Sequence, residues 1–491
     1  MPCTTILVGK KASFDGSTIV ARNEDSSNGE FCPKRFVSVD PAGKTSYTSV
    51  ISHLTVPLPQ EGVRYTAMPN ADLKEGLWEE AGFNARNVGM SATETLTTNE
   101  RVLAADPLVR YDATTGTPGG IGEEDMVTLV LPYATSARDG VLRLGALLER
   151  YGTYEMNGIA FSDVDEIWWL ETVGGHHWIA RRVPDDCYVT MPNQLGIDSF
   201  DLDDAYGEKH CHLCSPDLRE WVAANHLDLS LDGQLNPRDA FGSHSDSDHV
   251  YNTPRAWAIQ RFLSPTAGPW DRALAAEDFG PECDRLAWCR RPERKVTIED
   301  VKYALSLCYQ GTPYDPYGHD PAGRPGRYRP IGINRNSQLA VLQLRPYEPE
   351  ATRALQWVSL GSNAYNALVP FYANVGRTPA YLEDTTTRVT SENFYWANRI
   401  IGALADGART GCVPHVERYQ EVLPAATFAL VRACDERVRE DAVAGDDVCG
   451  ELEAANDVIA DECRRQTEAL LDHVLYEASM GMGNAFCRSD G

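Results

Sequence analysis

The chain has 491 residues, and its 71 acidic and 45 basic side chains leave a net charge of −26, which excludes a sequence-independent binder of nucleic-acid phosphate. Hydrophobic residues make up 43 % of it, enough for a sizeable core and against wholesale disorder, while no apolar run reaches the roughly 18 residues that a membrane helix needs. Lys10 and Lys11 follow the first apolar run, unlike a secretory leader, and thirteen cysteines form no framework spacing, so a soluble cytoplasmic protein with reduced thiols is expected.

Residues 4–8 and 18–21 read as the two strands of a hairpin, with Asp15-Gly16 as the turn signal between them. Placing Val8 opposite Ser17 sets Cys3 opposite Arg22, with Asp25 just beyond. Residues 127–131 read as a buried strand, and 137–151 as an amphipathic helix with Val141, Leu144, Leu147, Leu148 and Tyr151 on one face. Strands at 158–162, 166–171 and 177–183 follow, with 188–191 close behind, and their short connectors predict an antiparallel meander. Trp168 and Trp169 alternate within it, so one ring should face the core. Residues 254–263 read as a helix capped by Thr253, with Pro254 at its first position. Residues 297–309 read as another, with Thr297 as N-cap and Asp300 three residues on. A Gly/Pro/Tyr/Arg loop at 311–330, of a length that often lines a binding site, leads into strands at 338–344 and 355–360. From there the chain turns helical, at 392–406, 427–439 and 451–478. This order is not the steady βα alternation of a doubly wound sheet.

Cys3 opens the first strand, where trimming makes it an N-terminal residue. Its thiolate is then a nucleophile and its own α-amine, ordinarily with a pKa near ~8, a built-in base. The pairing suits amide hydrolysis, because the amine takes the thiol proton and returns a proton to the leaving amine. The other reading of such a cysteine is a small buried hydrophobe. In the register above, Arg22 lowers the thiol pKa and Asp25 orients the α-ammonium. Here the alternative is a surface charge cluster of little energetic value.

Cys3-Thr4-Thr5, Asp15-Gly16-Ser17-Thr18 and Ala21-Arg22-Asn23-Glu24-Asp25 together resemble the opening of the PepD-type cysteine dipeptidases. These are N-terminal nucleophile hydrolases, distantly similar to choloylglycine hydrolase and penicillin V acylase. The resemblance continues through Glu80-Ala81-Gly82-Phe83-Asn84, Met90 to Thr95, Glu171 to Trp178 and Met191-Pro192-Asn193-Gln194, with a weaker match at Tyr395-Trp396-Ala397-Asn398. It implies that Cys3 is the nucleophile, supported by Arg22 and Asp25. Asn84 and Asn193 match the asparagines that flank the acyl carbon in the related acylases, where a side-chain amide stabilises an oxyanion without adding a titratable group. Both asparagines also read as turn residues, beside Gly82 and after Pro192. The acylases use a later arginine, for which Arg329 and Arg335 are both candidates. Those relatives begin Met-Cys, whereas this chain begins Met1-Pro2-Cys3, so a free Cys3 amine needs a further cleavage after Pro2.

Other signals carry less. His210-Cys211-His212-Leu213-Cys214 lacks the second ligand pair of a structural zinc site. His176 and His177 read as a strand-end pair, and the run from His244 to His249 as a solvated loop. No phosphate-binding glycine fingerprint appears, and neither a cofactor nor a metal is expected.

The resemblance implies an α+β fold in four αββα layers, two antiparallel sheets between helical layers. Residues 1–380 form the catalytic domain, and 381–491 a helical region that caps it or serves as the surface of a homo-oligomer. It also implies hydrolysis of dipeptides through a cysteinyl acyl-enzyme, with Glu24 and Glu94 as carboxylates that can meet the substrate amine. An acylase of non-peptide amides and an untrimmed, non-catalytic binding module are the rival readings.

Overall fold

The computed structural model describes residues 3–27, 29–270, 279–319, 323–441 and 448–484. The first strand, Cys3–Val8, is buried along its whole length. Cys3, Thr5 and Leu7 project from one face and Thr4, Ile6 and Val8 from the other, and both faces are covered. It pairs antiparallel with Thr18–Asp25, but Cys3 lies opposite Glu24 and Thr5 opposite Arg22. The expected register is therefore wrong by two residues. A slip of two keeps every side chain on its face, so Arg22 remains on the Cys3 side of the sheet.

The cause is the connection. The turn signal at Asp15-Gly16 lies inside a longer loop, whose Gly9, Lys11 and Ala12 amides bond to the carbonyls of Cys187 and Asp185 at 2.7–3.0 Å. Gly9 is required there, because a Cβ would sit 2.5 Å from the Asp185 oxygen.

Among the described residues, seven strands pair in the order Cys289–Arg290, Tyr188–Met191, Cys3–Val8, Thr18–Asp25, Asn336–Leu344, Ala354–Leu360 and Val369–Tyr372. Six more pair in the order His212–Cys214, His177–Arg182, Ile167–Val173, Asn157–Ser162, Gly89–Thr95 and Ala81–Phe83. The expected meander holds for its first three strands. Tyr188–Met191 leaves it, crosses to the other sheet and pairs with the first strand, Thr5 opposite Met191. That crossing delivers Asn193 to the Cys3 end of the sheet.

Leu7 and Val20 pack with Phe83, Ala160 and Trp169 in a core between the two sheets. Trp168 points the other way and joins Val141, Leu144 and Leu148 of the helix Ala137–Tyr151. Both tryptophans are thus buried, not one, because a helix covers the far face of their sheet.

Residues 127–131 are helical, contrary to expectation. The helix Glu123–Val130 runs into a short turn, Leu131–Tyr133. Three acidic residues fill its first turn, and Asp125 Oδ2 accepts from the Gly122 amide at 2.9 Å. A short apolar run buried on all sides has no periodicity to separate strand from helix.

Asn252, not Thr253, precedes the helix Thr253–Leu263. Thr297 and Asp300 form the expected capping box, although that helix ends at Ala304. The last three helices are Phe394–Gly407, Arg409–Asp441 and Val448–Met480; the second runs through Pro414 and Pro424 and so starts well before the expected 427. A buried ion pair ties the second of them to the sheet: Asp435 holds Arg345 at 2.5 Å and accepts from Tyr372 Oη at 2.7 Å. No helix among the described residues is long and apolar enough to cross a membrane.

Candidate active site

The Cys3 side chain projects into the gap between the sheets and is wholly buried. Arg22 Nη1 donates to its Sγ at 3.1 Å. The guanidinium is fixed by the facing strand, where Nε bonds Ser91 Oγ at 3.1 Å, Nη2 the Ala92 carbonyl at 2.8 Å, and Nη1 the Thr93 carbonyl. Pairing of that strand with Asn157–Ser162 shifts between Ala92 and Glu94. The resulting bulge turns two consecutive carbonyls toward Arg22. Glu80 forms an ion pair with Arg22, and Glu123 Oε1 stands 3.6 Å away. Burial pushes the Cys3 thiol well above its ordinary pKa; Arg22 opposes that, while Glu94 and Glu123 add to it.

Asn193 meets Cys3 from the side. Its Oδ1 accepts from the Cys3 amide nitrogen at 3.2 Å and from Arg255 Nη2 at 2.6 Å, and its Nδ2 donates to the Thr95 carbonyl at 3.0 Å. Donors on one side and a carbonyl on the other fix which way the amide points. Arg255 also bonds the Cys3 carbonyl, Thr4 Oγ1 at 2.7 Å and Asn252 Oδ1 at 2.7 Å. Arg255, from the helix Thr253–Leu263, thus bonds the Cys3 backbone directly, and the sequence did not single it out. Arg329 instead forms an ion pair with Asp25, and Arg335 bonds the Ser26 carbonyl at 2.8 Å.

Asp25 lies one residue past Glu24, the cross-strand partner of Cys3, and on the opposite strand face from Arg22. Its carboxylate is held by Arg329 and Asn336. The Asn84 side chain, which the resemblance set at the oxyanion, is bonded to backbone groups. Its Nδ2 donates to the carbonyls of Leu131 and Ala134, both at 2.8 Å, and its Oδ1 accepts from the amides of Arg86 at 2.9 Å and Val88 at 3.1 Å. Both amide hydrogens are spent on the backbone, as befits the turn residue also read from the sequence.

A second ring of buried charge supports Arg22. Lys34 Nζ lies 2.8 Å from Glu24 Oε2, 3.5 Å from Glu80 Oε1 and 3.1 Å from the Trp78 carbonyl. Burial pushes Glu80 up to about 8, against the pull of Lys34 and Arg22. Nothing in the sequence around Lys34 marks it as an interior residue.

The other motifs are accounted for locally. Asp204 accepts from the amides of His210, Cys211 and His212 at 2.8–2.9 Å and faces His212 Nδ1 at 3.0 Å, fixing the His210–Cys214 segment as a turn and edge strand. Asp106 does the same for His176 and His177, whose ring nitrogens lie 2.9 and 2.7 Å from it. The segment expected as a solvated loop carries a structural role. Asp248 is buried there, and its Oδ1 accepts from Asn252 Nδ2, which also bonds the Asn193 carbonyl at 3.1 Å. Met1 and Pro2 lie outside the described residues.

Residues 2–422 match the pattern of peptidase family C69. Over the full length of both chains, the sequence is 59 % identical to a dipeptidase of Bifidobacterium longum and 50 % identical to a probable dipeptidase A of Streptococcus pyogenes. It is 41 % identical to dipeptidase A of Lactobacillus helveticus, over 97 % of this chain and 96 % of that one.

Proposed function

This chain belongs to peptidase family C69, and on that premise we propose that it is a dipeptidase whose nucleophile is the Cys3 thiol. The observation that carries the assignment is the hydrogen bond from Arg22 to Cys3 Sγ at 3.1 Å, on a guanidinium locked by three further groups of the facing strand. A fixed cation favours thiolate over thiol without donating a proton of its own.

In this reading the thiolate attacks the scissile carbonyl, and the C–S bond forms as the carbonyl electrons move onto oxygen. Asn193 and Arg255 support the geometry around the new oxyanion from beside Cys3. Collapse breaks the C–N bond, and the leaving amine takes the proton first removed from the thiol. Water then cleaves the thioester, releasing the acid product and restoring the thiol. Asp25, held by Arg329 and Asn336, fixes the strand end next to Cys3. Asn84 keeps its structural role at the turn.

The same reading takes the fold as the four-layer αββα arrangement of N-terminal nucleophile hydrolases, with residues 1–380 as catalytic unit and 381–491 as its helical appendage. The inter-sheet core of Leu7, Val20, Phe83 and Trp169 supports it.

The test is a panel of unblocked dipeptides run beside N-acylated amines, with iodoacetamide labelling mapped by peptide mass. Hydrolysis of dipeptides alone, lost in step with alkylation of Cys3, is the expected result. Turnover of the acylated amines would move the assignment to an acylase. Undiminished activity after complete Cys3 alkylation would end it.

A further inference from the structure

Four glutamates are buried around Cys3: Glu24, Glu80, Glu94 and Glu123. Three of them have a cation. Glu24 is held by Lys34 at 2.8 Å and by Gln338 Nε2 at 2.9 Å, Glu80 by Arg22 and Lys34, and Glu123 stands 3.6 Å from Arg22. Glu94 is different. Its Oε2 accepts from Thr5 Oγ1 at 2.8 Å and its Oε1, like those of Glu24 and Glu80, accepts no hydrogen bond, but no cation among the described residues forms an ion pair with it. Arg255, the cation that acts on it most strongly, is committed to Cys3, Thr4, Asn193 and Asn252.

A wholly buried carboxyl with an unused oxygen is costly, and such violations persist where function needs them. Burial pushes Glu94 up to about 8, the signature of an acid lacking a partner. Its placement is specific as well. Thr5 shares a strand face with Cys3, two residues along, about 7 Å between Cα atoms. Glu94 follows the bulge that turns Ala92 and Thr93 toward Arg22, and bulges re-aim the side chains next to them. Glu94 also lies near enough to Cys3 for its charge to raise the thiol pKa.

We propose that Glu94 receives the free α-ammonium group of the substrate and thereby restricts the site to peptides with an unblocked N-terminus. The inference rests on the dipeptidase reading above. In a dipeptide the amine is two bonds from the scissile carbonyl carbon, so its receptor must stand within a few ångströms of the nucleophile. Glu24, the other carboxylate considered for this task, is already neutralised by Lys34. An ammonium supplies the charge and hydrogen bonds that Glu94 lacks; an N-acyl group supplies neither and leaves the carboxyl unpaired.

The test compares wild type with Glu94→Gln and Glu94→Asp on one dipeptide and its N-acetyl counterpart, with the rate of Cys3 alkylation by iodoacetamide as a second readout. For Glu94→Gln, kcat/KM on the unblocked dipeptide should fall at least about 10²-fold, mainly through KM, and the preference over the acetylated form should collapse. Alkylation of Cys3 should be no slower than in wild type, because an amide in place of the carboxyl takes away nothing that favours the thiolate. Glu94→Asp should recover part of the preference. A Glu94→Gln enzyme that keeps the preference, or loses turnover and Cys3 reactivity in proportion, overturns the proposal. A wild type that alkylates at Cys3 yet cleaves no unblocked dipeptide overturns the dipeptidase reading first, and this inference with it.

Discussion

Arg22 reaches the Cys3 thiol from the position opposite Thr5, its Nη1 donating to Sγ at 3.1 Å. The charge is useful because the guanidinium is fork-shaped and every arm is used, on Ser91, Ala92, Thr93, Glu80 and the thiol. A lysine has one point of charge and three donors, and cannot hold these partners at once. Arg22→Lys should therefore lower turnover by about 10²-fold or more and move the pH midpoint of Cys3 alkylation upward. An unchanged alkylation profile would show that Arg22 does not tune the thiol.

Cys3→Ala removes the nucleophile and little else. The side chain is small and the strand is fixed by backbone pairing on both sides, so a stability loss of about 1 kcal/mol is expected. Dipeptide turnover should vanish while the urea unfolding midpoint hardly moves. Retention of near wild-type rates would place the nucleophile elsewhere.

Lys34 neutralises two carboxylates at once, and its removal leaves both buried beside Arg22. Lys34→Met should destabilise the protein by about 3–5 kcal/mol, since breaking a buried ion pair strands the remaining charge. Adding Glu24→Gln should recover part of that loss. Additive losses in the double variant, read from denaturant midpoints, would show that the pair is not coupled.

The sequence carried the faces of the first two strands but not their pairing. Face depends on local alternation, which Cys3–Val8 displays; register depends on how the loop after Val8 docks on Asp185 and Cys187, far along the chain. The contact of Arg22 with Cys3 was legible because the two share a strand face; Asn193 was marked only by the resemblance, and the strand crossing before it brings it to Cys3. Arg255 lay on a helix that periodicity located, yet its partner Cys3 is 252 residues away and no local pattern announces that contact. Asn84 was ambiguous for a physical reason: the same amide that suits an oxyanion also suits a turn, and its four bonds to the backbone favour the turn. Residues 127–131 misled because a run buried on all sides has no polar face to betray its period.

Buried acids set the pH dependence of stability. Burial holds Glu94 and Asp125 at about 8 and Glu171 at about 7, against roughly 4 in an unfolded chain. The native state therefore binds more protons than the unfolded state between those values. This contribution is full below about pH 4 and is lost as pH rises toward 8. Asp106 and Asp204, held down at about 2 by their hydrogen bonds, act oppositely and withdraw support only as pH falls toward 2. The urea midpoint should thus decline from pH 5.5 to 8.5. A flat or rising profile across that range would contradict the assignment of these carboxyls as neutral in the fold.

The active form should begin at Cys3. With Pro2 attached, the Cys3 nitrogen is an amide, and the structure shows it donating to Asn193 Oδ1 at 3.2 Å. An amide nitrogen has no usable lone pair and cannot take the thiol proton. Cleavage after Pro2 makes the same nitrogen an amine in the same place, next to its own thiol. Asn193 Oδ1 is already there to orient it, and the Arg255 charge on that oxygen favours the neutral amine over the ammonium. The free amine then serves as base toward Sγ and as acid toward the leaving group, a role typically worth about 10²–10⁴-fold. The untrimmed form keeps Arg22 and so forms some thiolate, but its amide nitrogen cannot pass a proton to the departing amine; it should be slow, not inert. Intact mass and N-terminal sequencing of fractions sorted by specific activity provide the measurement. Activity should track the fraction of chains that start at Cys3, and a fully active preparation that retains Pro2 would remove the free-amine base while leaving the Cys3 thiol as nucleophile.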